Sequence, residues 1–290
     1  MRILKAFTLL ALLLLPVTLL ADCAERTLRL AVIPMYSAEL MLEQHQPLLQ
    51  HLSEVTGLPV ELVVASSYEA VVDAIVSGGA DLARLGPAAY VLAHRRDPRV
   101  EAFATFALKA GPYTAAGSQY QSLLLTRADG PAQFAQLRGK RVALSDPAST
   151  SGSLVPSVEF AGRVNTPLRD YFGALVYAGT HDKALDALLE GWVEAAFVAS
   201  ERADAYLARH ALKPEAFQVL WRSAPIPYDP YVLSAHLCPA LKARIRQAML
   251  ADPQALAAFV RSQDASALVV IGPGAYTGLE QVMEQALKAR

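Results

Sequence analysis

Twice along this chain an apolar run of strand length passes into an amphipathic helix, and a glycine turns that helix into a further strand. In the first round Leu28 to Ile33 reads as a strand. A helix follows from Ser37, with Met41, Leu48, Leu52 and Val55 at helical spacing and Gly57 closing it. Pro59 to Val64 reads as a second, buried strand. Ser66 and Glu69 have capping-box spacing before the apolar helix Val71, Val72, Ile75, Val76, which Gly78-Gly79 ends ahead of a strand from Asp81 to Leu85. The second round follows Gly139: strand Arg141 to Ser145, a helix after Ser151, strand Leu175 to Tyr177, a helix from Asp182, strand Ala195 to Val198. Such alternation implies two α/β units, each a mostly parallel sheet covered on both faces. Val72 to Asp81 also matches Leu185 to Glu194 in pattern, which either an internal echo or the shared grammar of helix, glycine and strand explains. At that offset Tyr68 falls opposite His181, each at the mouth of its helix.

Two segments read as crossings between the units: Gly111 to Gln121, and Ser223 to Pro230 with Pro225, Pro227 and Pro230. Helical patterns at Pro239 to Leu250 and Pro253 to Arg261, an apolar run Leu268 to Ile271 and a helix from Tyr276 then return to the first unit. The expected organisation is a leader at 1–24, a discontinuous lobe 1 at 25–118 and 226–290, and lobe 2 at 119–225. Composition agrees, because 53% apolar and 18% charged residues supply two cores and exclude disorder. A formal charge of -1 offers no field to hold a nucleic acid.

Arg2 and Lys5, the apolar run Phe7 to Leu20 with Pro16 inside it, and small residues at Ala21 and Ala24 read as a cleavable secretory leader, too short to span a bilayer. The mature protein is then expected in the periplasm. Cleavage after Ala24 would remove Cys23, one of two cysteines, and with it any disulfide. A lipid-anchored Cys23 competes, but Asp22 stands where such signals want a small residue.

Catalytic signatures are scarce: no Gly-x-Ser-x-Gly, His-Glu-x-x-His, Cys-x-x-Cys or Walker loop occurs. The six histidines show no metal-ligand spacing, and His45 and His51 read as surface residues. No cofactor or metal is expected. The stretch Asp146-Pro147-Ala148-Ser149-Thr150-Ser151-Gly152 stands out, because three hydroxyls at a helix N-terminus join unpaired amides and the helix dipole in an anion cradle. A helix cap with spare serines would read the same. His181 opens the next helix and could donate to an anion or face solvent, while Tyr68 and Tyr120 could donate phenolic hydrogens or simply pack.

Taken together, Leu85-Gly86-Pro87-Ala88-Ala89-Tyr90, Gly139-Lys140-Arg141-Val142, the Asp146 to Gly152 loop, Gly179-Thr180-His181-Asp182 and Ile226-Pro227-Tyr228-Asp229-Pro230 carry a resemblance. Over essentially all of the mature region the chain resembles the periplasmic substrate-binding proteins of phosphate, phosphite and phosphonate ABC transporters, the PhnD-like family. The resemblance implies an α/β two-lobed periplasmic binding protein of type II, its lobes joined by two crossing strands. It also implies that Ser149, Thr150, Ser151, His181, Tyr68 and Tyr120 hold the phosphonate oxygens, and that Glu201 and Asp229 face an amine on aminoalkyl ligands. Two carboxylates beside a dianion cost Coulomb energy unless a cation or proton lies between them, which favours an aminoalkylphosphonate. The alternatives are phosphite or phosphate, with one acid accepting a proton, or Glu201 as a helix N-terminal acid. Tyr228 is expected to narrow the pocket. The expected partners are the small phosphorus oxyanion and an inner-membrane permease, with a sensor kinase or chemoreceptor as the alternative. The protein is expected to be a monomer and not an enzyme.

Overall fold

The structure is a computed structural model and describes Cys23 and residues 27–288; the rest of the expected leader lies outside the described residues. The first lobe opens with β1 (Leu28–Val32), α1 (Ala38–Thr56), β2 (Val60–Val64), α2 (Tyr68–Ser77), β3 (Leu82–Arg84), α3 (Pro87–Arg96) and β4 (Glu101–Leu108). The chain crosses at β5 (Gln119–Tyr120) and builds the second lobe from β6 (Ser122–Arg127), β7 (Arg141–Leu144), α4 (Ala161–Val164), α5 (Leu168–Tyr171), β8 (Ala174–Tyr177), α6 (His181–Leu189), β9 (Ala195–Ala199), α7 (Ser200–Arg209) and β10 (Phe217–Arg222). It crosses back at β11 (Ile226–Pro227) and completes the first lobe with β12 (Tyr231–Leu233), α8 (Pro239–Leu250), α9 (Ala257–Ser262), β13 (Ala265–Val270) and α10 (Thr277–Lys288).

The first sheet runs β13-β4-β12-β3-β1-β2 and the second β10-β6-β9-β7-β8, while β5 and β11 pair antiparallel as the link between lobes. Both sheets are mixed. In the first, β1 pairs parallel with β2 and β3, whereas β12 runs against β3 and β4. In the second, β7 pairs parallel with β8 and β9, and β6 runs against β9 and β10. The apolar triplet on β6 shows why these strands carry no polar alternation: Leu123 and Leu125 enter the core beneath α6 and α7, and Leu124 enters the opposite core around Phe160 and Phe197. A strand buried on both faces is apolar at successive positions through its middle, and the buried hydroxyls of Ser122 and Thr126 at its ends are hydrogen-bonded.

Local signals placed many helix ends. Ser37 caps α1 by accepting from the Leu40 amide, and Gly57 closes it in the left-handed conformation (φ 73°). Where expectation and structure differ, the cause is tertiary. Ser67, not Ser66, caps α2, and Glu69 is drawn to Arg96 at 3.2 Å instead of closing a capping box. The strand β2 alternates between half-buried and exposed positions because it is the sheet edge. The region 253–261 is helical only from Ala257. His45 is wholly buried, its Nδ1 2.7 Å from the Met41 carbonyl and its ring against Phe259, and His51 is partly buried with Nε2 3.0 Å from the Ala248 carbonyl. His45 is therefore not a surface residue and His51 is only partly one, because α1 packs against α8 and α9.

One further correction concerns the cysteines: Cys23 is disulfide-bonded to Cys238, the residue that precedes α8. A leader boundary after Ala24 would discard half of this bond, so the expected boundary and the disulfide exclude each other.

Candidate functional site

The loops that follow β1, β2, β3, β7, β8 and β9 all leave the carboxyl ends of parallel strands, the usual place for a ligand in α/β sheets. They enclose a cavity of about 20 Å³ between the lobes, lined by Tyr68, Tyr120, Ser149, Thr150, Ser151, His181, Glu201 and Asp229 together with Ile33, Met35, Gly86, Ala199 and Arg202. All eight residues singled out in the sequence thus meet at one cavity.

The hydroxyl loop enters a π-helix, not an α-helix, over Thr150–Leu154 and Pro156–Phe160. Its first ladder bond runs from the Leu154 amide to the Ser149 carbonyl, five residues back. In that register Pro156, which has no N–H, leaves the Ser151 carbonyl without a helical donor, and the Ser122 hydroxyl on β6 donates to it at 2.6 Å. The helix start is thereby pinned to the sheet. Ser149 Oγ accepts from the Gly152 amide at 3.1 Å, and Thr150 Oγ1 accepts across the cleft from the Ala88 amide at 2.8 Å. Each keeps its own proton to donate. The Tyr68 phenol meets the Ser149 hydroxyl and the Tyr120 phenol meets Ser151, and burial pushes both phenols above their ordinary range, so both remain protonated donors.

His181 is the first residue of α6, after the cap Thr180. Its Nδ1 accepts from the Ala199 amide at 3.2 Å, and burial, then Arg202, hold its pKa down at about 3. A neutral ring that accepts at Nδ1 must carry its proton on Nε2, which lies 3.4 Å from Ser149 Oγ. The ring packs so closely that a Cβ on Gly152 would fall 1.8 Å from Ser145 Oγ and 3.0 Å from His181 Cε1. Only glycine fits there.

Two residues absent from the sequence reading control the acids. Arg84, on β3 and 2% exposed, reaches Asp229 at 3.8 Å, the Tyr228 hydroxyl at 2.9 Å and Gln263 Oε1 at 2.8 Å. Arg202 follows Glu201 on α7, donates to Asp182 at 2.9 Å, and reaches Tyr36 of the first lobe, whose ring centroid lies 4.1 Å from the guanidinium carbon of Arg202 and 4.3 Å from that of Arg209. An arginine within an apolar strand is the signal that could have found Arg84, since a buried charge demands a partner. The expected narrowing by Tyr228 takes a different form: its ring packs edge-on against Tyr120 and its hydroxyl anchors Arg84.

Burial, opposed by Arg84 and Arg202, pushes Asp229 up to about 6. Burial and then the Asp229 charge push Glu201 up to about 8, and its Oε2 is sealed without a hydrogen-bond partner. A carboxyl group raised from its ordinary value of about 4.3 binds more protons folded than unfolded, so the stability it confers falls as pH rises toward the folded value. Between about 6 and 8, Glu201 is the group of this pair whose folded-state titration remains to be completed. Thermal melts from pH 6.5 to 8 should therefore show wild-type stability declining, by at most about 1.4 kcal/mol per pH unit from this group, and Glu201→Gln declining less. Equal slopes would remove Glu201 from the account.

Comparison with known proteins agrees with this architecture. A family described as "ABC transporter, phosphonate, periplasmic substrate-binding protein" matches residues 30–277. The chain is 32% identical over 222 residues to the phosphate-import protein PhnD of Mycolicibacterium smegmatis, covering 72% of this chain and 66% of that protein. It is 29% identical over 230 residues to the phosphonates-binding periplasmic protein of Escherichia coli, covering 78% of this chain and 66% of that one. The chain thus spans just under two thirds of the length of these relatives. Among solved structures, a binding protein component of an ABC phosphonate transporter from Pseudomonas aeruginosa superposes with a TM-score of 0.81 at 21% identity, covering 91% of this chain and 87% of that one.

Proposed function

The chain belongs to the family of periplasmic substrate-binding proteins of phosphonate ABC transporters, and from that premise we propose that it captures a small phosphorus oxyanion, a phosphonate first of all, in the cavity at Ser149. The observation that carries the reading is the donor set. Three hydroxyls, two protonated phenols and the Nε2–H of a neutral imidazole converge on one small space at a helix N-terminus. Neutral donors aimed inward suit a compact anion with several acceptor oxygens.

The same geometry supports a reading of capture without chemistry. A ring held near pKa 3 is too weak a base to activate the Ser149 hydroxyl beside it, so the pair reads as two donors rather than as nucleophile and base. The chain acts as a monomer in the periplasm, closes about the β5 and β11 crossing, and presents the closed form to an inner-membrane permease. Contacts between lobes, among them Ala88 to Thr150 and Tyr36 to Arg202, favour that form. The need for a ligand amine is weaker than charge counting in the sequence suggests, because Arg84 already compensates Asp229.

The test is calorimetric titration of ligand-stripped protein with methylphosphonate, 2-aminoethylphosphonate, phosphite, phosphate and sulfate in a phosphate-free buffer. Selective binding of a phosphorus oxyanion is the expected result. Ser151→Ala and His181→Ala should each weaken it by about 1 to 3 kcal/mol, the worth of a hydrogen bond to a charged group. Unchanged affinity in both variants would sink the site assignment.

A further inference from the structure

The last helix, α10, contributes no residue to the wall of the anion cavity, yet it packs on both lobes. Tyr276, just before it, and Leu279, Met283 and Ala286 recur three or four positions apart, the spacing of one helix face, and all four are buried. The root of the helix is fastened to the first lobe. The Tyr276 hydroxyl donates to the Tyr228 carbonyl at 2.8 Å, its ring meets Tyr90 of α3 edge-on at 5.0 Å, and Arg95 of α3 reaches Glu284 at 3.2 Å. The same helix lies against both π-helical stretches of the second lobe, Thr150–Leu154 and Pro156–Phe160. Those stretches face two ways. Phe160 enters the core of its own lobe, whereas Leu154 and Val155 are buried in the core of the first lobe and Val158 packs at its border.

We infer that α10 is a strap: its apolar face holds the π-helix of the second lobe against the first lobe, and so sets how tightly every ligand is bound without touching one. The inference rests on the capture reading above and adds to it positioning residues that act from a distance. The π-helix carries Ser149, Thr150 and Ser151 at its start, so whatever seats Leu154 and Val155 one turn on also seats the hydroxyls. Thr150, at 2.8 Å from the Ala88 amide of α3, ties that start to the helix on which α10 rests. When the lobes part, Leu154, Val155 and Val158 leave the seam for water, which the hydrophobic effect opposes. The seam thus belongs to the closed form and biases the equilibrium between open and closed. The apparent dissociation constant varies inversely with the fraction of protein that is competent to bind, so a weaker seam must raise it by one common factor for all ligands. Loss of a group that touches the ligand would instead discriminate among them.

The test pairs hydrogen exchange of the ligand-stripped protein, read by mass spectrometry, with titration of methylphosphonate, phosphite and phosphate. Leu279→Asn puts a neutral polar group on the buried face of α10. Exchange at residues 150–160, in the other lobe, should then speed up about fivefold or more, and all three anions should weaken by the same factor of about five or more. Val158→Asn attacks the seam from the second lobe at a half-buried position, so it serves should the first variant fold poorly, and it should in return speed exchange at residues 277–286. Gln285→Ala, on the exposed side of α10, should leave both readouts within about twofold. Faster exchange confined to the lobe that carries the substitution, or losses of affinity that differ from one anion to the next, would overturn the strap and leave the anion site standing. Silence of the wild type toward all three anions would instead retire the capture reading, and exchange across the seam would still decide whether α10 holds the π-helix.

Discussion

Replacing Arg84 with methionine should cost about 3 to 5 kcal/mol of folding stability, the usual penalty for stranding one half of a buried ion pair. Asp229 would then lie buried, at 10% side-chain exposure, without its guanidinium. Tyr228 would lose the donor to its hydroxyl and Gln263 the donor to its Oε1, while the cation over the Phe106 ring at 5.1 Å would vanish. At roughly 2 to 4 °C per kcal/mol for a chain of this order of size, the melting temperature should fall on the order of 10 °C. Two controls separate the ion pair from lost packing. Arg84→Met with Asp229→Asn should cost clearly less than the sum of the single changes, since removing both partners leaves no stranded charge. The penalty of the single variant should also shrink as pH falls toward about 6, because Arg84 holds the Asp229 carboxyl down and without it Asp229 takes up its proton at higher pH than in the wild type. Strict additivity and a flat pH response would mean that Arg84 stabilises by packing alone. In the surviving variant the freed Asp229 should raise the preference for 2-aminoethylphosphonate over methylphosphonate, because a ligand ammonium can then occupy the vacated role.

The sequence was informative where structure is set by neighbours in the chain. Ser37 and Gly57 bounded α1, and Pro239 and Leu250 bounded α8, because capping and proline chemistry act within one helical turn. Three hydroxyls beside a strand end pointed to the cavity at Ser149 for the same reason. Features that depend on distant partners were not legible. Arg84 meets Tyr228 across 144 positions and Arg202 meets Tyr36 across 166, so no local window shows that the acids are compensated. The π register needs both Pro156 and Ser122, and the half-exposed face of β2 follows only from its place at the end of the sheet order. His45 looked like a polar residue on an exposed face until α8 and α9 packed on both sides of it. Charge arithmetic over two acids was therefore incomplete, not mistaken in principle: the missing cations were already in the chain.

Reducing the Cys23–Cys238 bond should lower stability by about 2 to 4 kcal/mol, seen as a fall in melting temperature on the order of 5 to 10 °C. The bond closes a loop of 215 positions and joins the segment before β1 to the start of α8. One end thus leads into an inner strand of the first sheet, and the other into the part of the lobe that returns only after the second crossing. Without the bond these ends gain freedom chiefly in the unfolded chain, where the cost of bringing them together is greatest. Cys23→Ser and Cys238→Ser should therefore lower the melting temperature equally, and the double variant no further than either one, since all three remove the same link. Reductant should act on the wild type and on none of the variants. Thiol counting in denaturant and the intact mass of the exported protein add a second, independent reading: no free thiol, and an N-terminus that retains Cys23. A single free thiol with Cys23 absent would mean that processing after Ala24 removes the partner, and the first lobe would then have to hold its N-terminal strand by sheet pairing with β2 and β3 alone.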